Sequence, residues 1–473
     1  MHHSLDPRAA ATTVKDTGMA GPVDLLPEHV PSDARRLTSC IIGAGDATGN
    51  LAHEAVSAVE MHLLQRGWPV GQSLGAFPEV QKGLGLGRPS CREAMIILES
   101  RGMLDVRRGP GGGLFVAAPT AHDVVEAMLM YLVISGARQD CIHEFRLLAW
   151  RMVVEAAIER GISCEAAGTA GDDSGFATHL AHRIGNPAMA LTVQIAELLV
   201  RACKGIPAPV HDEPLERAMK ARDTAGAFFR LEELNGPMNL AGPLSALEST
   251  ARSAGRSGRK AAMALAARMA RDLMHRPERL EAEWETGERL GYSDAAVRQA
   301  RRILQDFGMV RCHRGRKGAL WAPPVSPAAV IRLLAPCLIA GGMTTRDNGE
   351  TANYLACNAP RLAALRISEQ SGATAEIRAS FTNSLELVDL LRVENLLLEL
   401  ACNPILSIMT RSLGLANLVI PQATISRGRR AEIAAINQRI LRAIEAGDAA
   451  VAGFLARIKG DIQQAEVSYR KLT

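Results

Sequence analysis

The chain matches itself. Residues 87–112, "GRPSCREAMIILESRGMLDVRRGPGG", align without a gap with residues 293–318, "SDAAVRQARRILQDFGMVRCHRGRKG". Arg92 pairs with Arg298 and Arg108 with Arg314 at one offset (298 − 92 = 314 − 108 = 206). Gly85 and Gly291, Ala94 and Ala300, Leu98 and Leu304, Gly102 and Gly308, Met103 and Met309, and Gly109 and Gly315 keep the same spacing. Later segments echo each other too: "RIGNPAMALTVQIAELL" around Asn186 with "LACNPILSIMTRSLG" around Asn403, and "LERAMKARDTAGAFF" ending at Phe229 with "ILRAIEAGDAAVAGF" ending at Phe454. Self-similarity of this kind predicts two copies of one unit. Each copy is two domains long.

Composition limits what the copies hold. At 473 residues the chain is expected to form three or four compact units. Aromatic residues are only 4%, so Ala, Leu, Ile and Met must fill the core, a mix that favours helix over strand. The net charge of +4 is too small to announce nucleic-acid binding by itself; the placement of the charges has to carry that. Nine scattered cysteines without a CxxC pair read as reduced thiols of a cytoplasmic protein. The longest apolar stretches, such as Val125–Ile134, fall short of the ~20 residues that cross a bilayer, so no membrane partner is expected.

Residues 51–66 space their apolar side chains as one helix face. Two further helices follow across a Gly-bearing turn at Gly85–Gly87, then "LDVRRGPGGGLFV" reads as two short strands around a Gly-rich turn. This is the order of a winged helix-turn-helix, whose second helix puts its N-terminal residues at base edges in the major groove. Arg88 and Arg92 lie one turn apart on that helix, placed to reach phosphate and guanine together. Arg107 and Arg108 stand beside glycines that let the wing backbone approach a sugar–phosphate chain.

The segment "LGLGRPSCREAMIILESRGML…RRGPGGGLFV" resembles the DNA-binding head of the GntR family of transcription regulators. The resemblance implies that Arg88, Arg92, Arg108 and Gly109 contact double-stranded DNA. Gly87 replaces the Ser that would cap the reading helix, and Pro89 sits early in it, where proline is tolerated. The second copy keeps the cap as Ser293 and keeps Arg298, but Asp294 replaces Arg88. Its wing is more basic, with Arg314, Gly315, Arg316 and Lys317 available for the DNA backbone.

Each head is followed by a segment of helical periodicity: 122–135, 142–161, 176–204 and 212–233, then 326–342, 353–370, 384–414 and 429–470. With "HEFRLLAWRMVVEAAIER", Gly185–Pro187, Cys402–Pro404 and "RAIEAGD", these resemble the antiparallel FCD effector bundle of the FadR-type branch. The resemblance marks Arg146, Asp173, Ala177 and Asp212 in one bundle, and Glu394, Asn437 and Lys459 in the other, as effector-pocket positions. Many such bundles hold a metal on three His, which neither copy supplies, so no metal or other cofactor is expected. A Lys459–Glu394 pair would fill that place instead.

The expected architecture is mainly α: a flexible tail (1–48), winged helix-turn-helix (49–118), FCD-like bundle (119–235), linker (236–258), second winged helix-turn-helix (259–323) and second bundle (324–473). Two heads in one chain imply an intramolecular pseudo-dimer, open to further homodimerisation, that answers a small-molecule effector. A protein-interaction regulator with weakened DNA binding is the other reading, motivated by Gly87 and Asp294. Enzyme signatures such as a nucleophile elbow or a phosphate loop are absent from the sequence.

Overall fold

The computed structural model describes residues 32–43, 51–107, 109, 111–138, 140–163, 175–236, 239–253, 259–275, 283–306, 311–312, 320–321, 326–370, 372–382, 384–419 and 425–469. Helix α1 (Ser32–Ile42) precedes the first head, which runs α2 (Leu51–Gln65), β1 (Ser73–Gly75), α3 (Phe77–Leu84), α4 (Arg88–Ser100), β2 (Leu104–Arg107) and β3 (Gly113–Val116). Gly85, left-handed at φ 63°, ends α3 and turns the chain into α4. The strands form an antiparallel sheet in the order β1-β3-β2. Strand β1 goes beyond the expected pair; three residues carry no readable alternation, and it is set by pairing with β3. The two backbones approach closely there, since a Cβ on Gly113 would stand 2.9 Å from the Gly75 carbonyl oxygen. Trp68, Leu63, Leu98, Met103 and Leu114 fill the head's core, and the Trp68 indole N–H donates to the Ala117 carbonyl at 2.8 Å.

The first bundle comprises α5 (Ala121–Ile134), α6 (Asp140–Arg160), α7 (Phe176–Ile184), α8 (Pro187–Ala202), α9 (Glu213–Lys220) and α10 (Thr224–Leu234). Then come α11 (Pro243–Ser253), α12 (Arg259–His275), α13 (Glu283–Leu290), α14 (Asp294–Asp306) and the paired β4 (Arg311–Cys312) and β5 (Leu320–Trp321). The second bundle holds α15 (Ala328–Ala340), α16 (Thr345–Ala356), α17 (Asn358–Arg366), α18 (Ala373–Ala379), α19 (Leu387–Leu400), α20 (Pro404–Val419), α21 (Arg427–Glu445) and α22 (Ala449–Tyr469). The chain is mainly helical, and no helix among the described residues is long and apolar enough to cross a membrane.

Element bounds follow the internal match. Helices α13 and α14 begin and end 206 residues after α3 and α4 (283 − 77 = 294 − 88 = 206). Helix α20 lies 217 residues after α8 at both ends (404 − 187 = 419 − 202 = 217). Spans read as single helices break where a residue turns left-handed: Gly185 (φ 72°) before Asn186, and Arg222 (φ 56°) before Asp223. Cys402 (φ 50°) and Gly447 (φ 73°) do the same in the second half.

Both margins of the heads hold a helix, in the linker as the sequence allowed and in the stretch expected to be mostly flexible. The stretch expected as a tail contains α1, which packs on α15, α19 and α20 of the second bundle. Arg411 Nε donates to the Ile41 carbonyl at 2.6 Å and Asn395 Nδ2 to the Cys40 carbonyl at 2.8 Å, holding the helix end. The expected linker contains α11, which lies along α12 and against α5 and α8 of the first bundle. The helix ahead of each head therefore rests on the bundle of the other half.

The bundles meet in a reciprocal set of bonds. Asn186 Oδ1 caps α8 by accepting from the backbone N–H of Ala188 and Met189, while its Nδ2 donates across to the Asp347 carbonyl (3.2 Å) and Glu350 (3.1 Å). Asn403 Oδ1 caps α20 by accepting from Leu406, while its Nδ2 donates back to the Cys141 carbonyl (3.1 Å) and Glu144 (2.7 Å). Arg160 bridges the Ile184 carbonyl to Glu350, and Arg366 bridges the Ala401 carbonyl to Glu144. An amide joins the cap to two donated bonds: an Asp caps equally well but donates nothing to the facing carboxylate, and a Ser brings a single O–H.

Asn186→Asp tests this directly. The cap survives, but a carboxylate then faces Glu350, and a loss of about 1–3 kcal/mol is expected in urea unfolding. Asn186→Ser should cost less.

Candidate nucleic-acid interface

The first head presents one face of α4 to solvent. Cys91, Ala94, Met95, Ile97 and Leu98 are buried, whereas Arg88, Arg92 and Ile96, four residues apart, are exposed. Gly87 caps the helix without any side-chain bond, and Pro89 occupies its first turn, so the N-terminal N–H groups and both guanidiniums face outward together. On the hairpin, Arg107 is exposed, pairs with Asp105 at 3.1 Å and lies 4.0 Å over the Phe115 ring. An exposed pair of this kind is weak, ~0–1 kcal/mol, so the guanidinium is held in place without being neutralised for a phosphate. Gly109 is left-handed at φ 100° at the wing tip and exposed. Arg108 lies outside the described residues.

In the second head Ser293 Oγ accepts from the Ala296 N–H at 3.4 Å, giving α14 the cap that α4 lacks. Asp294, Arg298 and Arg302 occupy the exposed positions that match Arg88, Arg92 and Ile96. Arg298 Nε donates to the Asp294 carbonyl one turn back. Arg314, Gly315, Arg316 and Lys317 lie outside the described residues.

A seat for α4 emerges that the sequence did not signal. Arg101, at the C-terminal end of α4, forms a buried ion pair with Glu60 of α2. The second carboxylate oxygen of Glu60 stands 3.5 Å from Arg332 of α15, which also donates to Ser57 Oγ at 2.7 Å. Burial lowers the Arg332 guanidinium to about 10, still charged at neutral pH. One carboxylate thus ties α4 of the first half to the second bundle. At the matching joint of the second half, α12 meets α5 and α11 with a run of buried alanines, among them Ala262, Ala264, Ala266 and Ala267.

The bundle interiors hold the residues marked for an effector. Arg146, 1% exposed, donates to Glu197 (3.0 Å) and the Ile206 carbonyl (2.7 Å) and lies 4.2 Å over the Trp150 ring. Trp150 Nε1 donates to the same Glu197 oxygen at 2.8 Å, so Arg146 is satisfied by its own bundle. Ala177 is fully buried among apolar neighbours. Asp212 caps α9 and takes the Arg230 guanidinium at 2.7 Å, which holds its carboxyl below the usual range. Asp173 lies outside the described residues. In the second bundle Lys459 Nζ donates to Glu394 (2.6 Å) and to Asn437 Oδ1 (3.1 Å), bringing all three together. An ammonium has no lone pair for a metal, and the Asp212 carboxylate is committed to Arg230 as the neighbouring Glu216 is to His211. These positions do not fit the family's three-His centre, and among the described residues no group of three or more His, Cys, Asp or Glu is placed to hold a metal.

No protein-family model and no curated protein matches the chain. Among solved structures, "Streptococcus agalactiae GntR" is similar over 43% of this chain and 99% of that one, at 15% identity and a TM-score of 0.32.

Glu60→Gln removes the carboxylate shared by Arg101 and Arg332. Its unfolding free energy should fall by about 3–5 kcal/mol, read as a lower urea midpoint.

Proposed function

We propose that the chain is a DNA-binding transcription regulator of the GntR type, a tandem duplication whose two heads act as a pseudo-dimer within one polypeptide. The observation that carries this reading is the solvent face of α4: Arg88 and Arg92 exposed one turn apart at the start of the second helix of a helix-turn-helix, with Arg107 on the adjoining hairpin. Guanidiniums so placed meet guanine N7 and O6 and the flanking phosphates.

The matching element bounds and the reciprocal Asn186–Glu350 and Asn403–Glu144 bonds support duplication with pseudo-two-fold pairing, since an isologous interface repeats each contact with the roles exchanged. The operator is then two half-sites of unlike sequence, because α14 replaces Arg88 by Asp294. Effector response is assigned to the second bundle's interior, where Asn437 Nδ2 is buried beside Lys459 with no hydrogen-bond partner among the described residues. The protein acts in the cytoplasm.

Selection from random duplex pools, followed by salt titration on the enriched site, tests the reading. Arg92→Ala and Arg298→Ala should each lose about ten- to a hundredfold, from different halves of the site. Failure of the wild type to enrich any sequence, with weak binding at low salt, would sink it.

A further inference from the structure

The third exposed position of each reading face also differs in chemistry between the two heads. Ile96 is 48% exposed, and it continues the line of Arg88 and Arg92 along α4. At 1.5 Å rise per residue it stands about 6 Å beyond Arg92, roughly two base steps further along a groove. A β-branched side chain facing water gains nothing for the helix. Its aliphatic surface has one counterpart in the major groove, the C5-methyl of thymine. On α14 the same place holds Arg302, also exposed, which presents a cation where α4 presents a branched hydrocarbon.

Resting on the DNA-binding reading above, we propose that Ile96 is a specificity-determining residue: it packs on a thymine methyl group inside the half-site read by the first head. The guanidiniums of Arg88 and Arg92 set guanine on one side of that base. Arg302 gives the second head no such preference, so the two half-sites differ at this base pair in kind as well as in sequence. The side chains of Glu93 and Pro89, exposed on the neighbouring line of α4, leave the Ile96 approach unobstructed by aromatic bulk.

Deoxyuridine removes the methyl group and leaves the base pair intact. Each thymine of the selected duplex is replaced in turn, and affinity is measured for the wild type and for Ile96→Ala, whose melting curve reports that the exposed substitution leaves the fold unchanged. One substitution in the first head's half-site should weaken the wild type about fourfold, the size expected for one buried methyl. Ile96→Ala should bind the thymine and uracil duplexes alike. Uracil substitutions that are all neutral to the wild type, or that weaken Ile96→Ala equally, overturn the inference while leaving DNA binding standing. If no duplex is enriched or bound at all, the DNA-binding reading falls and this inference with it.

Discussion

Two asparagines hold the halves of this protein together. Asn186 and Asn403 each sit at the start of a buried helix, where the side-chain oxygen satisfies helix N–H groups and the side-chain nitrogen reaches a carboxylate and a carbonyl of the other half. Capping and cross-half bonding are thus done by one residue, so neither helix can shift without loosening the joint. Arg160 and Arg366 reinforce it, each bridging a carbonyl of its own half, Ile184 or Ala401, to the same facing glutamate. Removing water from such groups is costly unless every donor and acceptor is met, and here each of the two carboxylates takes an amide and a guanidinium from the opposite half.

The heads depend on that joint because each is seated across it. Helix α1, ahead of the first head, rests on the second bundle, and α11, ahead of the second, rests on the first. The seats differ in chemistry. Glu60 ties α4, through Arg101, to Arg332, whereas α12 packs on α5 and α11 with buried alanines, Met263 and Leu265, and its Arg268 pairs with Glu248 of α11 at 2.8 Å. Charges in low dielectric fix geometry sharply, and small apolar side chains let helices approach closely without specifying an angle.

Much of the frame was legible in the chain. An aromatic-poor, Ala- and Leu-rich composition foretold helix, and the spacing of 206 residues anticipated where α13 and α14 begin. What escaped reading depends on contacts distant in sequence. Strand β1 exists because Gly113 lets Ser73–Gly75 come close, and no pattern within three residues could say so. Helix α1 hides in a stretch of turn-forming residues and is fixed by Arg411 and Asn395. Asn186 and Asn403 were visible as part of a motif, but their second bond was not. A clue lay in the paired Glu144 and Glu350, and Arg160 and Arg366, all at the same offset. Arg146 was marked for a ligand, and its guanidinium is taken by Glu197, a partner 51 residues away.

The central claim is that one chain supplies both heads of a paired reader. Native mass spectrometry of the protein on a duplex carrying both half-sites measures this most directly. The account predicts one chain per duplex, with both half-sites protected in the same complex. Two chains per duplex, each protecting a single half-site, would contradict it.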